Sequence, residues 1–302
     1  MPQSDPIRSL RGISTWLDRN LRIGARESTY SSSSPKTWGS PLLSQRDRQL
    51  SKDKFQETTR RRPLRLWVIV ACVVVTISVA ALAFIIFTPQ PPLAVIVDGL
   101  SADYPNPDFL SSTLTILQKA GYRTQLYQAM NVTVELYSRL ASLKPKLILL
   151  RIHGGILMYQ GQKIGGVGFF AEPYQQGKYP EEVLHYLGVG KPFLSNKEYF
   201  VATFVYLRDF MQGRFDDTTV MVMSCNSLED EAMAKVFTDK GAAAYIGWTG
   251  SVTPEHMDKA GLLLLQRMIA EKLSAADAVA RTSAEVGPDP FYKGELDLYL
   301  RQ

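Results

Sequence analysis

Cysteine and histidine are scarce in this chain. Its 302 residues hold two cysteines, Cys72 and Cys225, and three histidines, His153, His185 and His256. Cys72 falls inside a long apolar run, which leaves Cys225 as the single thiol of the remaining sequence and excludes an internal disulfide there. Three scattered histidines and one available thiol give no zinc-ligand spacing, so no metal is expected. The glycine-rich stretch 154–168 lacks the GxxxxGK[ST] pattern of a phosphate loop, and no cofactor is expected. No internal repeat is present, which excludes a solenoid.

Charge is missing from one segment and crowded into another. Residues 1–65 contain 14 Lys/Arg against six Asp/Glu, leaving 20 against 23 in the rest of the chain. The basic pI therefore belongs to the N-terminal arm. Nucleic acid is not an expected partner of the larger, mildly acidic part. The arm, 1–62, is rich in Ser, Arg and Gln and too poor in apolar residues to offset its ordering entropy, so disorder is expected. Ile7, Leu10, Ile13, Trp16, Leu17 and Leu21 recur at near-helical spacing among arginines, and a basic amphipathic helix at a membrane surface is the alternative reading there.

Residues 66–87 are 22 in a row without a charge. At about 1.5 Å per residue this length spans a hydrocarbon core of roughly 30 Å, so a transmembrane helix is expected over 63–88. The cluster RRRPLR precedes it, and the next Lys/Arg after it is Lys119. By the positive-inside rule the arm is cytoplasmic and the C-terminal part extracytoplasmic. A proline-rich linker, 89–92, leads into a domain over 93–302.

That domain reads as alternating apolar strands and helices, the pattern of a parallel sheet covered on both faces. Strands are expected at 93–97, 122–127, 146–152, 220–223 and 242–248. Helices are expected at 109–120, 134–143, 253–273 and 274–285, with one more between the strands at 220–223 and 242–248. A hairpin over 156–160 and 167–172 is expected at the sheet's carboxyl edge. The stretch 175–197 reads as loop with a short helix, and 199–211 as a strand turning into a helix.

Two chemically active residues occupy equivalent places in this pattern. His153 follows the strand LILLRI, and Cys225 follows VMVMS. Ligands bind at the carboxyl ends of strands in open α/β sheets, and a Cys/His nucleophilic site needs spatial rather than sequence adjacency. Asp98, at the tip of the first strand, and Glu172, in the hairpin, could each present a carboxylate to a basic substrate side chain.

The stretches LILLRIHGG and VMVMSCNS, with the later GAAAYIGWTGSV, resemble the caspase-like cysteine peptidases, the group of caspases, legumain, gingipains, separases and CHAT domains. The resemblance covers most of 93–273. It implies a three-layer α/β/α sandwich with a mostly parallel sheet, His153 as base and Cys225 as nucleophile. It further implies an oxyanion hole made by the backbone N–H groups of Gly154 and Cys225, and a peptide or protein substrate. The caspase residues around the cysteine are absent, since Met223-Ser224 precede it and Asn226-Ser227 follow, and no processing site between two subunits is evident. Two further readings stay open: a catalytically silent caspase-like fold used for binding, and a flavodoxin-like sensor domain in which the Cys and His are coincidental.

Overall fold

The structure is a computed structural model that describes residues 66–84, 90–192 and 195–302. The arm 1–62, both ends of the expected span 63–88 and the start of the 89–92 linker lie outside the described residues. The chain divides into two units, Met1–Phe87 and Thr88–Gln302. In the first, helix α1 (Leu66–Phe84) has 19 residues and a mean hydropathy of 2.7, long and apolar enough to cross a membrane. Its large apolar side chains, among them Leu66, Trp67, Ile69, Ile77 and Phe84, are exposed.

The second unit is a mixed α/β structure. Its strands in chain order are β1 (Leu93–Asp98), β2 (Arg123–Gln128), β3 (Leu147–Arg151), β4 (Gly154–Tyr159), β5 (Gln162–Pro173), β6 (Leu187–Gly190), β7 (Tyr199–Thr203), β8 (Thr218–Met223), β9 (Ala242–Trp248) and β10 (Leu296–Leu300). Its helices are α2 (Pro107–Lys119), α3 (Val134–Arg139), α4 (Glu181–Leu184), α5 (Phe204–Phe210), α6 (Ala232–Asp239), α7 (Pro254–Leu265) and α8 (Ala275–Val286). Six strands form one sheet in the order β10-β9-β8-β3-β1-β2. All its pairs are parallel except β10 with β9.

Alternation along the buried strands sorts side chains into two cores. Val95, Val97, Ile148, Leu150, Val220 and Val222 face one way, where they meet Leu136 and Tyr137 of α3, Leu207 of α5 and Phe237 of α6. Ala94, Ile96, Leu147, Leu149, Met221 and Met223 face the other way, against Phe109 and Leu117 of α2, Leu264 of α7 and Ala278 of α8. Both faces of the sheet are thus apolar, which is why β1, β3 and β8 read as continuous hydrophobic runs.

The remaining four strands form a separate antiparallel sheet, β4-β5-β7-β6. The hairpin expected over 156–172 is therefore part of a larger element. Strand β6 falls in the stretch read as loop. Its sequence, Leu-Gly-Val-Gly, has little strand propensity of its own, and it is held by pairing with β7 from Leu187↔Ala202 to Gly190↔Tyr199. The helix expected over 253–273 ends its α-helical part at Leu265 and continues as a π-helical turn, Gln266–Ala270. The apolar segment 296–300 is the antiparallel edge strand β10.

Chain direction in the main sheet reverses once. From β1 the chain moves outward to β2, then returns to the other side of β1 as β3 and continues through β8 and β9. The carboxyl tips of β1 and β3 flank this switch point, where a crevice opens in sheets of this kind.

Candidate active site

Strands β3 and β8 are parallel neighbours, with Arg151 opposite Met223. The register continues past the ladder, since the Ile152 N–H donates to the Met223 carbonyl at 3.0 Å. His153 and Cys225 are each two residues beyond that last pair, so they sit side by side at one edge of the sheet. The backbones stay in close contact there. A Cβ added at Gly154 would stand 2.1 Å from Ser224 Oγ and 2.7 Å from the Cys225 carbonyl oxygen. Glycine at 154 is required by this approach of the β3 exit to the Cys225 turn.

The turn after β8 is built from small polar residues. Ser227 is fully buried. Its hydroxyl donates toward the carbonyls of Ser224 at 3.0 Å and Val222 at 3.3 Å, and accepts from the Trp248 N–H at 2.9 Å. Asn226 adopts φ 55°, a left-handed conformation that Asn tolerates better than most residues, and its N–H donates to the Gly250 carbonyl at 2.9 Å. These bonds tie the turn to the end of β9.

The thiol faces the loop after β9. Cys225 Sγ lies 3.5 Å from the Val252 carbonyl oxygen and 3.4 Å from the Val252 nitrogen, so it is placed both to donate and to accept. It is half-buried and packs against the second core. Burial pushes its pKa up, and the carboxylate of Asp289 adds to this against the lowering effect of the Val252 N–H. The resting sulfur is a thiol, not the thiolate that an activated Cys/His pair would favour. Among the described residues no hydrogen bond joins Cys225 to His153.

His153 faces the other flank. Its Nε2 lies 3.2 Å from Asp103 Oδ2, and its ring meets the edges of Tyr104 and Phe170 at centroid distances of 6.0 and 6.1 Å. With Nε2–H donated to Asp103, the neutral ring leaves Nδ1 free to accept a proton. Burial lowers the His153 pKa, Asp103 opposes that shift and Arg151 adds to it. The imidazole is therefore neutral at pH 7, the state a general base needs.

Asp103 was not found from sequence because it lies in the irregular loop 99–106. That loop is fixed by a buried ionic cluster. Arg151, only 1% exposed, donates from Nη1 to Asp98 Oδ1 at 2.8 Å, from Nε to Asp258 Oδ1 at 2.7 Å and from Nη2 to Asp258 Oδ2 at 2.9 Å. The same Nη2 reaches the Tyr104 carbonyl at 2.8 Å, pinning the residue next to Asp103. A cation closing an apolar strand is the signal that could have announced the cluster, because a buried charge needs paired carboxylates.

The two carboxylates read as substrate-facing are engaged internally. Asp98 is buried and bound to Arg151 and to Gln128 Nε2 at 3.2 Å. Glu172 is buried, accepts from the Val134 N–H at 2.8 Å and from Lys178 Nζ at 2.6 Å, and is bonded to the Tyr179 hydroxyl. Neither lines the cavity of about 230 Å³ that adjoins His153. The other histidine of the parallel-sheet edge, His256, bonds the Gly287 carbonyl at 3.1 Å and stacks on the edge of Trp248, a packing role.

Comparison with protein-family models and with curated proteins returns no match.

The case for a site therefore stands on geometry. A neutral imidazole held by a carboxylate and a thiol stand on adjacent strand tips, two residues past one matched pair. Gly154 and Cys225 supply backbone at the same place, and the Cys225 N–H enters no backbone hydrogen bond among the described residues. Also among the described residues, no three His, Cys, Asp or Glu side chains converge as a metal site would require.

Proposed function

We propose that residues 93–302 form a caspase-like cysteine peptidase domain, a three-layer α/β/α sandwich anchored by the span that includes α1, with Cys225 as nucleophile and His153 as base. The observation that carries this reading is the placement of Cys225 and His153 two residues past one matched pair of adjacent parallel strands. The order β2-β1-β3-β8-β9-β10, with only the last strand antiparallel, is compatible with it.

In this reading a peptide carbonyl carbon binds near Cys225, and the thiol proton passes to His153 Nδ1 as sulfur attacks. Asp103 holds the ring in the tautomer that can accept this proton and stabilises the imidazolium that forms. The N–H groups of Gly154 and Cys225 face the developing oxyanion, which is where fixed donors are worth most. The imidazolium then protonates the leaving amine, and water hydrolyses the thioester with His153 again as base.

One observation favours a second reading, a silent domain that binds without cleaving: the thiol is bonded to Val252 and held protonated. Peptidase action needs a side-chain rotation of Cys225 away from Val252 when substrate arrives. An electrophilic peptide probe separates the two readings. Labelling should be lost in Cys225→Ala and slowed about 10²–10⁴-fold in His153→Ala, the usual contribution of a general base. Labelling no faster than that of a free thiol, and indifferent to His153, overturns the peptidase reading in favour of the binding one.

A further inference from the structure

We propose that the cavity beside His153 is the subsite for an apolar side chain on the leaving-group half of the substrate, the residue just after the scissile bond; this rests on the peptidase reading above. Position is the first argument. His153 exits β3, which has β8 on one side and β1 on the other. Cys225 lies on the β8 side. The cavity lies on the opposite flank: Gly99, Ala102 and Asp103 come from the loop after β1, Ala129, Met130 and Val132 from the segment after β2, and, besides His153, the rest are Phe170, Ala171, Pro173, Pro192, Lys197 and Tyr199. None of its lining comes from the turn around Cys225 or from the 249–253 loop.

Chemistry assigns that flank. When the thioester forms, the C–N bond breaks, the acyl half stays on sulfur and the amine half departs with the proton from His153. A general acid must stand within hydrogen-bond reach of the nitrogen it protonates. The chain beyond that nitrogen therefore passes His153 on the side away from Cys225, over the tips of β1 and β2. The cavity is the recess it meets there.

The lining assigns the ligand. Most of the thirteen lining residues are apolar or aromatic, Met130, Val132, Phe170, Ala171, Pro173 and Tyr199 among them. The charged members are Asp103, whose carboxylate is committed to His153, and Lys197, so the recess offers no uncommitted carboxylate to a basic side chain. A cavity of roughly 150 Å³ lined by such groups holds a benzene-sized ligand. At about 230 Å³ this one admits a single Leu, Met, Phe or Tyr side chain.

The test digests a mixed peptide library with the detergent-extracted full-length protein and with Cys225→Ala, reading new N-termini by mass spectrometry. The residue exposed by Cys225-dependent cleavage should be Leu, Met, Phe or Tyr at least tenfold more often than Asp, Glu or Gly, since filling an apolar pocket discriminates by roughly 10–200-fold per methylene group. Ala102→Trp, an exposed loop position that intrudes on the recess, should remove that preference and raise the share of Gly and Ala. Cys225-dependent cleavage with a flat or charged profile at this position overturns the subsite while leaving the peptidase reading intact. An apolar preference that Ala102→Trp does not change also overturns it. Identical products from wild type and Cys225→Ala overturn the peptidase reading itself, and the subsite with it.

Discussion

Gly154 and Ser224 are packed so closely that no side chain fits between them: a Cβ at 154 would lie 2.1 Å from Ser224 Oγ. This contact locks the exit of β3 to the exit of β8, and it sets the spacing of His153 from Cys225. Gly154→Ala should cost about 1–3 kcal/mol, the range for overpacking, measurable by urea denaturation. It should also reduce probe labelling of Cys225 at least tenfold. A variant that folds with wild-type stability and labels normally would show that the two strand tips are less tightly coupled than the contact implies.

Arg151 should be among the most sensitive residues in the domain. It is paired with Asp98 and Asp258, all three buried. Breaking such a cluster by removing one partner typically costs about 3–5 kcal/mol, because an uncompensated charge stays behind. Asp258→Asn and Arg151→Met should each lower the unfolding free energy by that order, read as a lower urea midpoint at unchanged slope. A loss below about 1 kcal/mol for both would mean that water reaches the cluster.

Titration of His153 gives a signed pH dependence. Its folded pKa lies below the ordinary 6.5, so below that value the unfolded chain takes up a proton that the folded chain resists. The stability linked to this group is fully present above pH 6.5 and is lost as pH falls through the folded pKa. Probe labelling should fall over the same window, because only the neutral ring accepts the thiol proton. In Asp103→Asn the carboxylate that raises the His153 pKa is gone, so the midpoint of labelling should move to lower pH. A midpoint that moves upward or stays fixed would remove Asp103 from the site.

Cys225 works in the opposite direction. Its folded pKa is raised above 9.0, so the unfolded chain loses the thiol proton first as pH rises. The linked stability is present below about pH 9 and is lost as pH rises through the folded pKa. Alkylation of wild-type protein by iodoacetamide should therefore be slower near neutral pH than alkylation of a free cysteine, and should accelerate only above pH 9. Fast alkylation at pH 7 would mean that the thiol leaves Val252 readily.

Orientation in the membrane is a separate prediction. From the Arg60–Arg65 cluster before an uncharged span, the positive-inside rule predicts that residues 93–302 lie outside the cytoplasm. Protease added to intact cells should remove that domain and spare the arm. Protection of the domain until lysis reverses the orientation.

The sequence by itself determined most of the local elements and the placement of His153 and Cys225 just past two apolar strands. Strands β1, β3, β8 and β9 were legible because burial on both faces writes a continuous apolar run, and His153 and Cys225 were legible because each ends such a run. What only the tertiary structure decided are the features whose partners are far apart in the chain. Strand β6 exists through pairing with β7, and β10 through pairing with β9. Arg151 finds Asp258 across 107 residues and Asp98 across 53, while Asp103 reaches His153 across 50. Asp98 and Glu172 show the same limit from the other side. Each stands where a substrate-facing carboxylate could stand, yet a buried carboxylate is satisfied by whatever donors the fold brings to it, and here those are Arg151 and Gln128 for one, and Lys178, Tyr179 and the Val134 N–H for the other. Hydrophobic periodicity acts over a few residues and fixes which face is buried. The pairing of charges and edge strands is chosen only once the layers have packed, because a buried ion or an open strand edge takes its partner from space rather than from sequence.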